Sequence, residues 1–340
     1  MGWNSGMITR KDVADRAGVS VATVSYVLNK KGGVMPETEM RVLQAVEELG
    51  YVPNEAARNL SLGRSSHIGI ALNELTNPYH MEVVKGIEKQ ASAFGFHVSI
   101  LNINEDMQDK LNFLKGRKFD VLINFMTQVF DPRIAEQLLK RNTLLVNFPV
   151  PESFCFNLKS KGAILSSMDL LRQCGHTKVG YISTIDEKRW ETDVRGQVYM
   201  EYLESYGFEN NPGYKVFNGD YTEPSGQVGY DLGLKLFRAH PEITAVYVTN
   251  DIAALGVLRA LEDLGLKCPE DVSVIGYDAI RIARLFKPTL ATIGCDNEAY
   301  GAEMARLVIE SVIEKKDISG HSYSFTANLI TGESIGRARN

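Results

Sequence analysis

From Ile68 onward, short apolar runs alternate with longer amphipathic stretches, and this rhythm constrains the fold more than any other feature of the chain. The runs Ile68–Leu72, Val98–Asn102, Val121–Phe125 and Leu144–Phe148 form one series. Val179–Ser183, Tyr214–Phe217, Ala245–Val248 and Val272–Tyr277 form a second, with a late run near Thr289–Gly294. Stretches such as Tyr79–Phe94 and Ile252–Leu264 between them carry apolar residues at helical spacing. Parallel strands need helical crossovers, so the alternation predicts βαβ units around parallel sheets. Two series predict two similar lobes, with a ligand cleft between them at the carboxyl ends of the strands.

The first sixty residues read differently. Thr9 is a good N-cap, with Asp12 three residues on and Ile8 and Val13 in the staple positions. The helix that starts there stops at Gly18, a residue that tolerates a left-handed exit. Ser20 then caps a second helix with Val24, Val27 and Leu28 inward and Val21, Ala22, Ser25, Tyr26 and Asn29 outward. A third helix begins with Pro36, places Val42, Leu43, Val46 and Leu49 on one face, and ends before Gly50. Periodicity alone leaves two readings open, a helix-turn-helix that binds DNA and a generic packed helix pair. Asn54 caps a short segment, Glu55 to Ser61, which is too short to be stable without a partner.

At 340 residues the chain exceeds the size at which one core keeps growing, so two or three domains are expected. The formal charge is −5, which taken alone argues against nucleic acid. Between residues 8 and 31, however, Arg10, Lys11, Arg16, Lys30 and Lys31 stand against only Asp12 and Asp15, so a local basic segment is hidden by an acidic remainder. Cys155, Cys174, Cys268 and Cys295 lie far apart, which predicts reduced thiols with no zinc site and no disulfide framework. No run approaches the roughly 18 apolar residues of a membrane span, and residues 1 to 7 lack a signal peptide's apolar stretch, which predicts a cytoplasmic protein without a membrane partner. Met7 is a candidate internal start, with residues 1 to 7 a leader. No phosphate loop, nucleophile elbow, HExxH or dinucleotide motif occurs, so neither an enzyme nor a cofactor is predicted.

The strings KDVADRAGVSVATVSYVLN and VLQAVEELGYVPNEAARNL make the choice between the two readings of the amino terminus. Together they resemble the signature of the lac repressor family (LacI/GalR) of bacterial transcription regulators over residues 8 to 64. The likeness continues, more weakly, through IGIALNELTNPYH, CGHTKVGYIS, VTNDIAALGVLRALEDLG, VSVIGYDAI and FKPTLATI. It implies a multidomain chain with an all-α helix-turn-helix headpiece (8–52), a hinge helix and linker (53–66), and an α/β periplasmic-binding-protein-like core of two parallel-sheet lobes (67–340). Lobe 1 is expected at about 67–160 and 291–320, and lobe 2 at about 161–290 and 321–340.

The resemblance assigns DNA contacts to Thr9, Ser20, Val21, Ala22, Thr23, Ser25, Tyr26 and Asn29, with Val21, Ala22 and Tyr26 reading bases in the major groove. Many relatives carry Arg at the position of Tyr26, so a phenol there alters the operator preference. Ala57 and Leu60 match the hinge, and Leu60 matches the leucine that wedges between base steps in the minor groove. Effector contacts fall on Tyr79, His80, Lys159, Arg189, Arg195, Tyr221, Asn250 and Asp278. Leu158-Lys159 replaces a common Asp-Asn, and His80 a frequent Phe, so Lys159, Arg189 and His80 together point toward a phosphorylated or acidic effector. The Gly175-His176 pair reads as a helix stop with a capping imidazole.

These features predict a homodimeric repressor of a carbohydrate-utilisation operon, bound to a roughly palindromic double-stranded DNA operator and switched by a sugar or sugar phosphate. The chain ends at Asn340 without an apolar heptad extension, which favours a dimer over a tetramer. The alternatives are an exported sugar-binding protein, which leaves residues 8 to 61 unexplained, and a purine- or phosphoprotein-responsive member of the same family.

Overall fold

The computed structural model describes residues 8–28, 32–52, 64–103, 118–126, 132–218 and 223–339. It divides into two compact units, Met1–Ser65 and Ser66–Asn340.

In the first unit, α1 (Arg10–Ala17), α2 (Val21–Leu28) and α3 (Pro36–Leu49) close a small core. None would persist alone at these lengths, so tertiary packing supplies their stability. Val13, Ala14, Ala17, Val24, Val27, Val42, Ala45 and Tyr51 form that core, with Leu28, Val46 and Leu49 packed partly against it. Leu43, predicted inward, is 50% exposed; Ala45 takes its place, giving the stripe 42, 45, 46, 49. Gly18 (φ 65°) ends α1 with the left-handed backbone its position requires.

The second unit holds two parallel-sheet lobes. In lobe 1, β1 (His67–Leu72), β2 (His97–Asn102), β3 (Val121–Asn124) and β4 (Leu144–Val146) form an all-parallel sheet in the order β2-β1-β3-β4. Helix α4 (Pro78–Ala93) packs on one face with Val83 and Ile87, and α5 (Pro132–Leu139) on the other with Ile134 and Leu138. Lobe 2 is built on β6 (Val179–Ser183), β7 (Lys215–Phe217), β8 (Ala245–Val248), β9 (Ser273–Tyr277), β10 (Ala291–Gly294) and β12 (Asn328–Ile330), ordered β12-β10-β9-β8-β6-β7. Only β12 runs antiparallel, at the edge. Its helices are α6 (Lys161–Gln173), α7 (Val194–Ser205), α8 (Ser225–Ala239) and α9 (Asp251–Asp263), while α10 (Asn297–Glu314) returns to pack on α4. The α4–α10 approach is close: a Cβ on Gly86 would lie 1.9 Å from the Glu298 carbonyl oxygen, and one on Gly301 2.0 Å from that of Val83.

The chain passes between the lobes three times. β5 (Cys155–Lys159) and β11 (Ser322–Thr326) pair in parallel as a two-stranded ribbon, and Phe156, Leu158 and Phe325 pack into the lobe 1 core. Two expected boundaries therefore move. Residues 291–294 belong to the lobe 2 sheet, where β10 pairs with β9 and β12, so the second passage follows Gly294 rather than residue 290. Residues 322–326 side with lobe 1, so the last passage falls at Ala327, whose N–H donates to the Lys159 carbonyl at 3.0 Å. Neither ribbon strand was foreseen, because CFNLK and SYSFT lack the continuous apolar character of a central parallel strand.

His176 does not cap its helix. Its ring bridges Thr244 Oγ1 (2.9 Å) and the Gly336 carbonyl (3.0 Å), with Ser273 Oγ at 3.1 Å, and so ties the carboxyl-terminal tail to lobe 2.

Candidate functional site

In the first unit, the candidate DNA-reading residues divide by role. Thr9 forms a complete capping box: its N–H donates to Asp12 Oδ2 at 2.7 Å, and Asp12 N–H donates to Thr9 Oγ1 at 3.4 Å. Thr9 Oγ1 also donates to Asp12 Oδ2 at 2.7 Å, and this bond together with that from Thr9 N–H holds the Asp12 carboxyl below its usual range. Ser20 Oγ accepts from Thr23 N–H (3.1 Å) and lies 2.9 Å from Thr23 Oγ1, so both residues are engaged in starting α2. The surface left outward is Val21 (45% exposed), Ala22 and Tyr26 (51% exposed), with Ser25 half-buried beside them. Exposed apolar groups backed by buried Val24 and Val27 form a rigid, small-featured face suited to reading base edges by contact. Asn29, Ala57 and Leu60 lie outside the described residues.

In the second unit, a cavity of about 610 Å³ opens between the two lobes, within the range for a small metabolite. Its walls come from the carboxyl ends of strands in both lobes. Asn73, Glu74 and Asn77 follow β1, Tyr79 and His80 start α4, Asn102 ends β2 and Phe125 follows β3. From lobe 2, Thr184 follows β6, Asp193 and Arg195 flank the start of α7, and Asn218 follows β7. Ser225 starts α8, Asn250 follows β8 and Asp278 follows Tyr277 of β9. Five predicted effector residues meet here: Tyr79, His80, Arg195, Asn250 and Asp278.

Arg195 is locked to Asp193 as a fork. Nε donates to Oδ1 at 2.8 Å, Nη2 to Oδ2 at 2.5 Å, and Nη1 to the Thr249 carbonyl at 2.5 Å. Burial pushes Asp193 up, and the hydrogen bonds and charge of Arg195 outweigh it, leaving the carboxyl below its usual range. The guanidinium lies over the Tyr277 ring, 5.0 Å from its centre. Two of its five N–H groups stay uncommitted by these bonds. Asn250 does two things at once: Oδ1 caps α9 by accepting from Ala253 N–H (2.7 Å), and Nδ2 donates to Thr184 Oγ1 (3.1 Å).

Asp278 sits on a strained turn. It and Ala279 have φ of 114° and 56°, both in the region that disfavours residues with a side chain. Asp251 holds that turn from below, accepting from Ile280 N–H (2.9 Å) and Thr292 Oγ1 (2.6 Å). Gly276 and Gly294 make room, since a Cβ on the first would lie 2.2 Å from Asp251 Oδ1 and on the second 2.6 Å from Ala279 Cβ. Burial raises both carboxyls, Asp251 to about 7 and Asp278 well above its usual range, and the charge of Asp251 adds to the rise of Asp278.

His80 donates from Nδ1 to the Glu74 carbonyl (2.9 Å), since a carbonyl oxygen only accepts. Burial lowers its pKa, so the ring is neutral at pH 7. Lys159 is exposed on β5, away from the cavity. Arg189 lies in the turn before α7 with Nε 3.6 Å from Asp186 Oδ2, and does not line the cavity. Tyr221 lies outside the described residues. The three cations expected to face a phosphate are therefore not assembled: two are elsewhere and the third is uncharged. Among the described lining residues, Glu74, Asp193, Glu223 and Asp278 stand against Arg195 alone.

Sequence reasoning missed Glu74, Asp193, Tyr277 and Ser225. The first two carried a usable signal, as polar residues two positions after a strand and directly before a helix.

A helix-turn-helix unit followed by a two-lobed α/β core with a polar cleft defines the class of effector-controlled DNA-binding regulators. The model for bacterial regulatory proteins of the lacI family matches residues 9–54, and that for a periplasmic binding protein-like domain matches residues 168–335. The ribose operon repressor of Halalkalibacterium halodurans is 30% identical over 98% of this chain and 99% of its own length. The HTH-type transcriptional repressor PurR of Mannheimia succiniciproducens is 31% identical over 97% of this chain and 99% of its own. The lac repressor dimer bound to operator and the anti-inducer ONPF superposes with a TM-score of 0.77 at 23% identity, over 97% of this chain and 99% of that one. The chain belongs to the lacI family of bacterial regulatory proteins, and is an effector-regulated, DNA-binding transcriptional repressor.

Proposed function

We propose that the chain represses a carbohydrate-utilisation operon. Residues 8–52 serve as the DNA-binding domain, 53–66 as the hinge and 67–340 as the effector-binding and dimerisation core. The observation that carries the reading is the cleft itself: Arg195, Asn250 and Asp278 from lobe 2 converge with Tyr79 and His80 from lobe 1 on one 610 Å³ space. Aromatic faces and fixed donors and acceptors suit a polyhydroxylated ring. The ribose operon repressor among the relatives supports a sugar.

Tyr26, Val21 and Ala22 read bases, while Ala57 and Leu60 act at the operator centre. A two-fold homodimer places two headpieces on a roughly palindromic site. The effector favours one lobe arrangement, and the size of the switch equals its differential affinity for the two states. The chain works in the cytoplasm and catalyses no reaction. Among the described residues, no helix is long and apolar enough to cross a membrane.

Selection of DNA by the full chain from a random pool, followed by titration of the selected site with sugars, sugar phosphates and purines, tests this reading. The expected result is a near-palindromic site whose affinity changes with a sugar. A response to a purine alone would replace the carbohydrate assignment.

A further inference from the structure

Among the described residues, the cleft lining carries an excess of acidic over basic side chains. Glu74 and Asp193 each accept hydrogen bonds, and Arg195 pairs with only one of the four acidic side chains among the described lining residues. Asp278 stands apart from the other three. It is 8% exposed and borders the cavity, and among the described residues nothing donates to its carboxylate. Its position is over-determined by the Asp251 hydrogen bonds beneath it and by Asn297 Nδ2, which donates to its carbonyl at 2.9 Å. A buried carboxylate held in a strained conformation without a donor is a group awaiting one from a ligand.

We propose that the effector carries an ammonium group, as an amino sugar does, and that this group is seated on Asp278. The proposal rests on the cleft being the effector site and adds the charge of what it takes. A neutral sugar supplies hydroxyl donors but no counter-charge to the surplus. An ammonium supplies donors and counter-charge together. Tyr79 and Tyr277 add ring faces, which attract cations. Among the described lining residues a phosphate meets Glu74, Asp193 and Glu223 with Arg195 as the one counter-charge.

Burial and the charge of Asp251 raise the Asp278 carboxyl well above its usual range, and a bound ammonium favours its ionised form, so binding is coupled to proton release. The test is calorimetry on the full chain with D-glucosamine against D-glucose and N-acetyl-D-glucosamine, D-galactosamine against D-galactose, and glucosamine 6-phosphate, in two buffers of different ionisation enthalpy. The expected result is an advantage of about tenfold or more for each free amine over its neutral counterpart, with a binding enthalpy that depends on the buffer. The advantage should vanish in Asp278→Asn and shrink in Glu223→Gln, a change on the exposed rim that carries little risk to folding.

Equal or tighter binding of the neutral sugars, tighter binding of the phosphate, or no binding of either amine overturns the charge assignment. The repressor reading fails separately, if the chain selects no DNA sequence or no metabolite alters its operator affinity.

Discussion

The carboxylate of Glu74 caps the amino terminus of α8 across the cleft, accepting from Ser225 N–H at 3.0 Å and from Ser225 Oγ at 2.8 Å. Glu74 belongs to lobe 1 and Ser225 to lobe 2, so one anion at a helix amino terminus joins the lobes at the mouth of the cavity. A second tie lies nearby, where Glu82 Oε1 of lobe 1 accepts from Arg281 N–H of lobe 2 at 2.9 Å while Asn297 Nδ2, from lobe 1 itself, donates to Glu82 Oε2 at 2.9 Å.

Loss of the first tie should loosen the start of α8. In Glu74→Ala, amide hydrogen exchange at residues 225–227 should accelerate at least tenfold, while amides of β6 and β8 keep their protection. Unchanged exchange at Ser225 would show that the tie contributes nothing to closure.

Asp251 should make stability depend on pH. Its folded value of about 7 lies above the ordinary 3.8, so its contribution is fully present below about pH 4 and is lost as pH rises through about 7. Asp278 is raised as well and acts in the same direction. Calorimetric melting from about pH 5 to about pH 8 should show a smaller loss of melting temperature in Asp251→Asn than in the parent chain.

Both side chains of the Arg195–Asp193 fork are only about a fifth exposed, so removing one member should cost more than the pair itself is worth. Arg195→Ala should destabilise the core by about 2 to 3 kcal/mol in urea unfolding, somewhat less than for a fully buried pair, because Asp193 is left largely buried without its partner. Arg195→Lys keeps the charge without the fork and should recover only part of that loss.

Tyr26 should govern specificity without governing stability. At 51% exposure on α2, Tyr26→Ala should change headpiece stability by no more than about 0.5 kcal/mol, shift the selected base at its position, and leave the salt dependence of association intact. An unchanged selected-site profile removes Tyr26 from base reading.

Leu60→Ala should weaken operator binding far more than binding to unrelated DNA, since a wedge acts only where the duplex is bent. Equal losses on both DNAs refute the wedge.

Alternation of short apolar runs with segments of helical period was enough to read the two parallel-sheet lobes from the sequence, because central strands buried on both faces appear as apolar runs. The capping box at Thr9, the left-handed stop at Gly18 and the inward stripe of α2 were legible for a similar reason: each is a short-range pattern with one physical meaning. The resemblance to a family supplied Arg195, Asn250 and Asp278, and the general rule that ligands gather at the carboxyl ends of parallel strands agrees with where they lie.

Charge in the cleft was not legible. Lys159, Arg189 and His80 suggested an anion site, but the pairing of β5 with β11 leaves Lys159 exposed away from the cavity, Arg189 lies beside Asp186 in its own turn, and burial keeps His80 neutral. Glu74, Asp193 and Glu223 are ordinary loop carboxylates in the sequence, and only the approach of two lobes places them around one space. The sequence by itself determined the elements, the class of fold and the family, since these follow from local periodicity and motif spacing. Tertiary structure decided the ribbon that carries the chain between lobes and the electrostatic character of the site, since both depend on which distant side chains share a low-dielectric cavity.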